Sequence, residues 1–202
     1  MKRVTNRVII LGMMLTTSIH ADSWYIGLEQ SLINNIDNTI EVDGYDYHND
    51  KSSNITSFKI GKILGDDSKT ANHFEFVYNM GEKSANNIVD NETLLSLSFN
   101  WNITVPSLIP DDDFTPYIRL GLNYSMSDNQ YNISGTSDSG NYSAYGLILG
   151  LGSYFSLNEK VNLLAGFDYQ YRWWDTLSSY YYGDIDSTDT IKKLYVGAEY
   201  LF

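Results

Sequence analysis

The sequence predicts an all-β protein, an eight-stranded antiparallel up-and-down transmembrane β-barrel. Apolar and polar residues alternate with a period of two through eight separate stretches, and no stretch shows a convincing helical period. The connections alternate between longer and shorter, as in barrels whose turns are short on one side of a membrane. Aromatic residues, including 17 Tyr and 4 Trp, fall near the ends of the stretches, as interfacial girdles require.

The first 21 residues have the pattern of a secretory signal peptide. Lys2, Arg3 and Arg7 form a basic region, an apolar run extends from residue 8 to residue 15, and small or polar residues follow to Ala21. The run is shorter than the roughly 20 residues that a spanning helix needs. We therefore expect cleavage after Ala21 and export through the inner membrane, with one barrel domain over residues 22–202.

The expected mature chain is strongly acidic and contains no cysteine. Residues 1–21 hold three basic and no acidic residues, so their removal leaves 10 Lys and Arg against 25 Asp and Glu, a net charge of −15. This charge argues against nucleic acid as a partner, because nucleic acid is bound through basic patches. Without disulfides, the stability of an exported domain must come from burial and strand pairing.

The alternating stretches define eight predicted strands. They cover about 24–32, 53–64, 70–81, 92–103, 114–126, 142–156, 161–174 and 192–202. The fourth strand has the clearest pattern, because every second residue is apolar between Leu95 and Ile103 and the others are Ser or Asn. With both chain ends on the periplasmic side, outward-facing loops that are acidic and rich in Tyr are predicted at 33–52, 82–91, 127–141 and 175–188.

Alternation alone leaves open which face of the strands points outward, because a soluble secreted barrel buries its apolar face. The polar face here is mostly Ser, Asn and Gly, which suits a narrow barrel interior better than a water-exposed surface. We therefore expect the apolar face to contact lipid. The strand charges should then pair in the lumen, with four of each sign: Glu29, Lys59, Glu75, Arg119, Asp168, Arg172, Lys193 and Glu199. Such a network either plugs the lumen or forms a gate that exchanges partners.

No catalytic, cofactor-binding or metal site is predicted, and no enzyme activity is expected. After removal of residues 1–21 only His48 and His73 remain, and no nucleophile is expected beside His73. The acidic segments Asp184–Asp189 and Asp43–Asp46 lack the spacing and the distal Glu of a calcium-binding loop. Their expected role is to keep the surface soluble and to bridge lipopolysaccharide through divalent cations.

The C-terminal stretch alternates up to a terminal aromatic residue. Its apolar positions are Leu194, Val196, Ala198, Tyr200 and Phe202. The pattern resembles the C-terminal strand signal of bacterial outer-membrane β-barrels, whose closing strand ends in Phe. The resemblance implies recognition by the barrel-assembly machinery and pairing of this strand with the one that contains Trp24.

Three further stretches resemble the small outer-membrane β-barrel family that contains OmpA-type transmembrane domains, OmpX and the opacity proteins. They are Phe114–Ser125 with a Thr-Pro-Tyr opening, Tyr145–Asn158 with alternating Gly, and Val161–Tyr171 with a Leu-x-x-Gly-x-x-Tyr pattern. The resemblance implies a monomer in the cell outer membrane, surrounded by outer-membrane lipid and lipopolysaccharide. It also implies a structural or surface-interaction barrel, for membrane integrity or for adhesion to host or cell-surface ligands. The alternative is a narrow porin or a small hydrophobic-molecule channel, as the OmpW family implies.

Overall fold

The computed structural model describes residues 23–65, 71–81, 94–105, 114–130, 141–179 and 183–202. Every regular element in these ranges is a β-strand, and neighbouring strands are antiparallel. The strands are β1 Ser23–Val42, β2 Tyr45–Ser52, β3 Thr56–Leu64, β4 Asn72–Met80, β5 Leu94–Thr104, β6 Phe114–Gln130, β7 Asn141–Asn158, β8 Val161–Trp174, β9 Leu177–Ser179 and β10 Gly183–Leu201. Within these ranges, no helix has the length and apolarity needed to cross a membrane.

The ten segments occupy eight positions in the wall of a closed barrel. β2 pairs with the C-terminal half of β1, whereas β3 pairs with its N-terminal half, so β2 and β3 share one wall position. In the same way, β8 and β9 pair with different parts of β10. β1 also pairs with β10 from Tyr25 to Val42, which closes the sheet. The prediction of an eight-stranded antiparallel up-and-down barrel is confirmed.

The strands are strongly tilted relative to the barrel axis. A row of paired residues that starts at Ile191 in β10 runs around the wall through Glu75 and Tyr25 and returns to β10 at Leu201, ten residues further along. With a rise of about 3.3 Å per residue and a strand spacing of about 4.8 Å, this stagger corresponds to a tilt of roughly 40°. An eight-stranded barrel of this kind has an interior just wide enough for side chains to fill.

The barrel exterior is apolar and the interior is largely polar. Among the described residues, buried polar or charged side chains outnumber buried apolar ones by 22 to 16. Large apolar side chains instead face outward all around the wall, and examples from successive strands are Leu28, Ile60, Phe76, Leu97, Leu120, Leu149, Phe167 and Val196. A soluble barrel would have the opposite distribution, whereas a lipid-facing apolar band accounts for both observations. The apolar face therefore points to lipid, as the sequence predicts.

Two segments that were expected to be loops are strands, so this part of the prediction is wrong. Residues 33–52 form the outer half of β1 and all of β2, joined by a turn at Asp43 and Gly44. Both turn residues have positive φ, 51° and 79°, as a two-residue type I′ hairpin requires. Residues 177–179 and 183–188 belong to β9 and β10. We call β1 33–42, β2, β9 and β10 183–191 together the outer extension.

A β-bulge conceals the alternation in the outer half of β1. The pairing with β10 shifts between Ser31 and Ile33, which leaves Leu32 as an extra residue. Odd-numbered residues face the lumen before the bulge, whereas even-numbered residues such as Ile36 face it afterwards. Because a shift of one residue exchanges the two faces, a single period cannot describe the whole strand. The acidic residues that then face outward give the segment the composition of a loop.

Several sequence-based predictions concern parts of the chain outside the described residues. These are the signal peptide at residues 1–21 and the loop at 82–91. The loop predicted at 127–141 is described only at its two ends. Residues 127–130 belong to β6 and residue 141 begins β7, whereas residues 131–140 lie outside the described ranges.

Candidate functional site in the barrel lumen

Seven of the eight strand charges that the sequence assigned to the lumen lie in one buried network. Lys59 of β3 is one of its two cationic centres. Its Nζ atom lies 3.0 Å from Glu29 Oε1, 3.4 Å from Glu75 Oε2 and 2.6 Å from Glu199 Oε1. These carboxylates belong to β1, β4 and β10, so one ammonium group connects three other parts of the wall.

Arg119 of β6 is the second cationic centre and is 1 % exposed. Its Nη2 atom lies 3.0 Å from Glu29 and 3.0 Å from Glu75, and its Nη1 atom lies 2.9 Å from Asp168 Oδ2. The Nε–H group donates a hydrogen bond to Asn102 Oδ1 at 3.0 Å. All three nitrogens of the guanidinium group therefore have an acceptor. Hydrogen bonds that involve charged groups in this way are about twice as strong as neutral ones.

Lys193 lies at the margin of the network. Its Nζ atom is 3.6 Å from Glu29 Oε2 and donates a hydrogen bond to Ser57 Oγ at 3.3 Å. Its side chain is 11 % exposed, more than any other member of the network. Glu29 consequently contacts all three cations: Lys59, Arg119 and Lys193.

Arg172, the eighth predicted charge, lies apart in a second ion pair. Its Nη2 atom is 2.7 Å from Asp189 Oδ2, and both side chains are fully buried. Asp189 also accepts hydrogen bonds from Trp174 Nε1 at 2.9 Å and from Asn38 Nδ2 at 2.8 Å. Sequence reasoning missed Asp189 because it placed Asp184–Asp189 among the acidic outer segments. The sequence does contain a signal that Asp189 faces the lumen. Its position is odd-numbered, and odd-numbered residues of β10 face the lumen from 185 to 199.

Glycines on the inner face make room for tyrosines of the adjacent strand. Gly61 is the register partner of Tyr25, and a Cβ atom on Gly61 would overlap the Tyr25 ring. Gly166 has the same relation to Tyr195. The Tyr25 hydroxyl donates a hydrogen bond to Glu75 Oε2 at 3.0 Å, which ties this aromatic layer to the charge network.

The end of the lumen nearest Trp24 and Phe202 is lined by aromatic residues. Tyr117, Tyr154 and Tyr195 form a buried cluster with Leu164. The hydroxyls of Tyr117 and Tyr195 are 2.7 Å apart, and the His73 ring stacks on Tyr154 with 4.7 Å between ring centroids. His73 therefore lies in a packed aromatic layer. The other histidine that remains after residue 21, His48, lies on β2 with Nδ1 3.1 Å from Thr39 Oγ1.

The outer end of the lumen is lined by an apolar cluster. Its buried members are Ile40, Tyr142, Ala144, Trp174, Leu177 and Ile185, and Val42 packs against them. Sequence reasoning did not find this cluster, because three of its buried members lie in segments that were expected to be loops. The lumen therefore has three layers, which are aromatic near Trp24 and Phe202, charged in the middle and apolar at the end of the outer extension.

The outward face of the outer extension is acidic. Glu41 of β1 is the register partner of both Asp46 in β2 and Asp186 in β10. Lys192 Nζ forms an exposed ion pair with Asp37 Oδ2 at 2.9 Å. Nowhere in the described ranges are three or more His, Cys, Asp or Glu side chains grouped so that they could hold a metal ion.

The residues proposed as an assembly signal lie on the strand that closes the barrel. Phe202 N–H donates a hydrogen bond to Trp24 O at 2.9 Å, beside the seam between β1 and β10. The side chains of this set face outward: Leu194, Val196, Ala198, Tyr200 and Phe202. The alternate positions face the lumen and include Lys193 and Glu199.

Solved structures match this chain over nearly its whole length, whereas no known family model and no characterised protein sequence does. The outer membrane protein AlkL, determined in DMPC bilayers, matches with a TM-score of 0.53 and 13 % identity over 93 % of each chain. OprG from Pseudomonas aeruginosa matches with a TM-score of 0.52 and 14 % identity, over 90 % of this chain and 95 % of OprG. This chain has the fold of a small outer-membrane β-barrel.

Another small outer-membrane β-barrel, the attachment invasion locus protein Ail of Yersinia pestis, matches with a TM-score of 0.50 and 15 % identity. The match covers 90 % of this chain and 97 % of Ail. Identities this low establish the fold alone. The resemblance to small outer-membrane barrels is confirmed at that level, and the shared fold supports an outer-membrane location for this chain.

Proposed function

We propose that the protein is a structural and surface-interaction barrel of the outer membrane, with a closed lumen and an outer extension that contacts partners outside the cell. The filled lumen carries this proposal. Charged side chains from β1, β3, β4, β6, β8 and β10 meet at distances of 2.6–3.6 Å in its middle layer. Packed layers lie on both sides of them. A solute path would have to separate buried ion pairs, at a cost of about 3–5 kcal/mol for each broken pair.

Planar-bilayer recording tests the closed lumen. We expect no stable openings from the wild-type barrel. Arg119→Ala removes the guanidinium and leaves three carboxylates short of a partner, so this variant should be destabilised and should leak. Lys192→Ala, which removes an exposed ion pair outside the lumen, is the matched control and should behave like the wild type. Stable wild-type openings that Arg119→Ala abolishes would show a gate, and the narrow-channel alternative would replace the proposal.

The surface role is tested on whole cells. The variant Glu41→Gln/Asp46→Asn/Asp186→Asn neutralises the row of carboxylates across β2, β1 and β10 without shortening any strand. If the outer extension mediates adhesion, attachment to host cells should fall while the amount of folded barrel is unchanged. Glu159→Gln, in the periplasmic turn between β7 and β8, is the control for a lost carboxylate. Unchanged attachment of the triple variant would exclude adhesion by this surface.

A further inference from the structure

The central charge network contains one more carboxylate than it has cations. Within the described part of the chain its members are four acids and three bases: Glu29, Glu75, Asp168 and Glu199 against Lys59, Arg119 and Lys193. Arg172 forms an ion pair with Asp189 and is not a member of the ion pairs of 2.6–3.6 Å that join these seven residues, so it is not counted here. A buried charge without a counter-charge costs several kcal/mol, so the network must take up one positive charge.

The contacts of the four acids show where that charge is missing. Glu29 lies within 3.6 Å of three cations, and Glu75 lies within 3.4 Å of two. Asp168 accepts a charge-assisted hydrogen bond from Arg119 at 2.9 Å. Glu199 contacts Lys59 alone, with Oε1 2.6 Å from Nζ, and its Oε2 atom has no hydrogen-bond partner among the described residues, although the residue is only 1 % exposed.

We propose that Glu199 is buried as the neutral acid and is the site of one exchangeable proton in the lumen. Lys59 of β3 is the cation that faces it, and the charged acids that face it are Glu75 of β4 and Glu29 of β1. Tyr25 on β1 and Tyr154 on β7 are also close enough to interact electrostatically with Glu199. The negative charges of Glu75 and Glu29 oppose ionisation of Glu199. A proton on Glu199 balances the charge of the network, and unlike a metal ion it needs no set of coordinating ligands.

Among the described residues, His73 is another group in this region that could carry the balancing charge. It is 5 % exposed and stacks on Tyr154, and its Nδ1 atom has no hydrogen-bond partner in the described part of the chain. An imidazolium there would need a carboxylate within ion-pair distance, and none is present among the described residues. We therefore assign His73 as neutral and place the proton on Glu199.

Infrared spectroscopy of the folded barrel in detergent at neutral pH tests the assignment. The carbonyl stretch of a protonated carboxylic acid is separate from the bands of ionised carboxylates. We expect this band in the wild type and in Glu159→Gln, which leaves the network intact, and we expect its loss in Glu199→Gln. Absence of the band from the wild type, or its persistence in Glu199→Gln, would overturn the proposal. A different outcome would show a bound cation in place of the proton. In that case the wild type would lack the band, and its stability would differ between sodium and potassium buffers.

The unfolding midpoint in urea gives an independent test with matched variants. Glu199→Gln replaces a neutral acid by a neutral amide of the same shape, so its midpoint should stay within error of the wild type. Glu29→Gln and Glu75→Gln remove a charge that pairs with two or three cations, so both midpoints should fall. A fall for Glu199→Gln as large as that for Glu75→Gln would show that Glu199 is ionised. If Glu29→Gln does not fold, the comparison of Glu199→Gln with Glu75→Gln and the infrared band still show whether Glu199 is neutral.

Discussion

Individual lumenal residues follow from the sequence where strand alternation is regular. Glu29, Lys59 and Glu75 could be assigned to the interior because a charge on the lipid face is strongly penalised, so only one face of each strand is open to them. Their partners could not be assigned in the same way. The distance between two lumenal side chains depends on the stagger between strands, which alternation within one strand does not contain.

The contact between Gly61 and Tyr25 gives a prediction for a single residue. Gly61→Ala should destabilise the barrel by about 1–3 kcal/mol, because the new methyl group displaces the Tyr25 ring and breaks its hydrogen bond to Glu75. Urea unfolding measures the loss. In a Tyr25→Ala background the same substitution should cost much less, since the ring is gone. An equal cost in both backgrounds would mean that the ring is not the obstacle.

At the level of elements, predictions fail where one residue changes the phase of a strand. β8 was predicted at its observed bounds, 161–174, because its alternation is unbroken. β1 was predicted to end near residue 32, at the bulge, although it continues to Val42. The bulge also reverses the faces, so Ile36 and Ile40 point inward beside residues that look like those of a solvated loop. No local composition signal distinguishes a bulge of this kind from the end of a strand.

Deletion of Leu32 tests what the bulge does. Without the extra residue, the outer half of β1 must either turn Ile36 and Ile40 outward or lose its register with β10. We expect amides of residues 35–42 and 184–191 to exchange with deuterium much faster, while β4 to β6 remain protected. Leu32→Ala keeps the extra residue and should leave exchange nearly unchanged. Equal protection in the deletion variant would show that the bulge is dispensable.

For the molecule as a whole, the fold class was predictable because the same polarity pattern recurs in every wall strand. The division of the lumen into three layers was not predictable. Residues that meet in one layer, such as Tyr117 and Tyr195, lie 78 positions apart in the chain and on β6 and β10, which are not neighbouring strands. Their hydroxyls meet at 2.7 Å because the wall closes on itself.

The membrane-facing exterior leads to a prediction at this scale. Leu149 is 56 % exposed in the middle of β7. In a lipid bilayer, Leu149→Arg should cost about 2–4 kcal/mol, because the charge would lie near the midplane. Folding into lipid vesicles, followed by the compact band of unheated samples on gels, measures this cost. Glu41→Arg on the outer extension is the control and should fold as well as the wild type. Equal folding of both variants would indicate a water-exposed barrel.

The outer extension continues the wall outward at the seam between β1 and β10. Its acidic face looks sideways, parallel to the membrane surface, and its apolar face looks over the mouth of the barrel. A partner that recognises the row of Asp46, Glu41 and Asp186 must therefore approach along the membrane from the seam side.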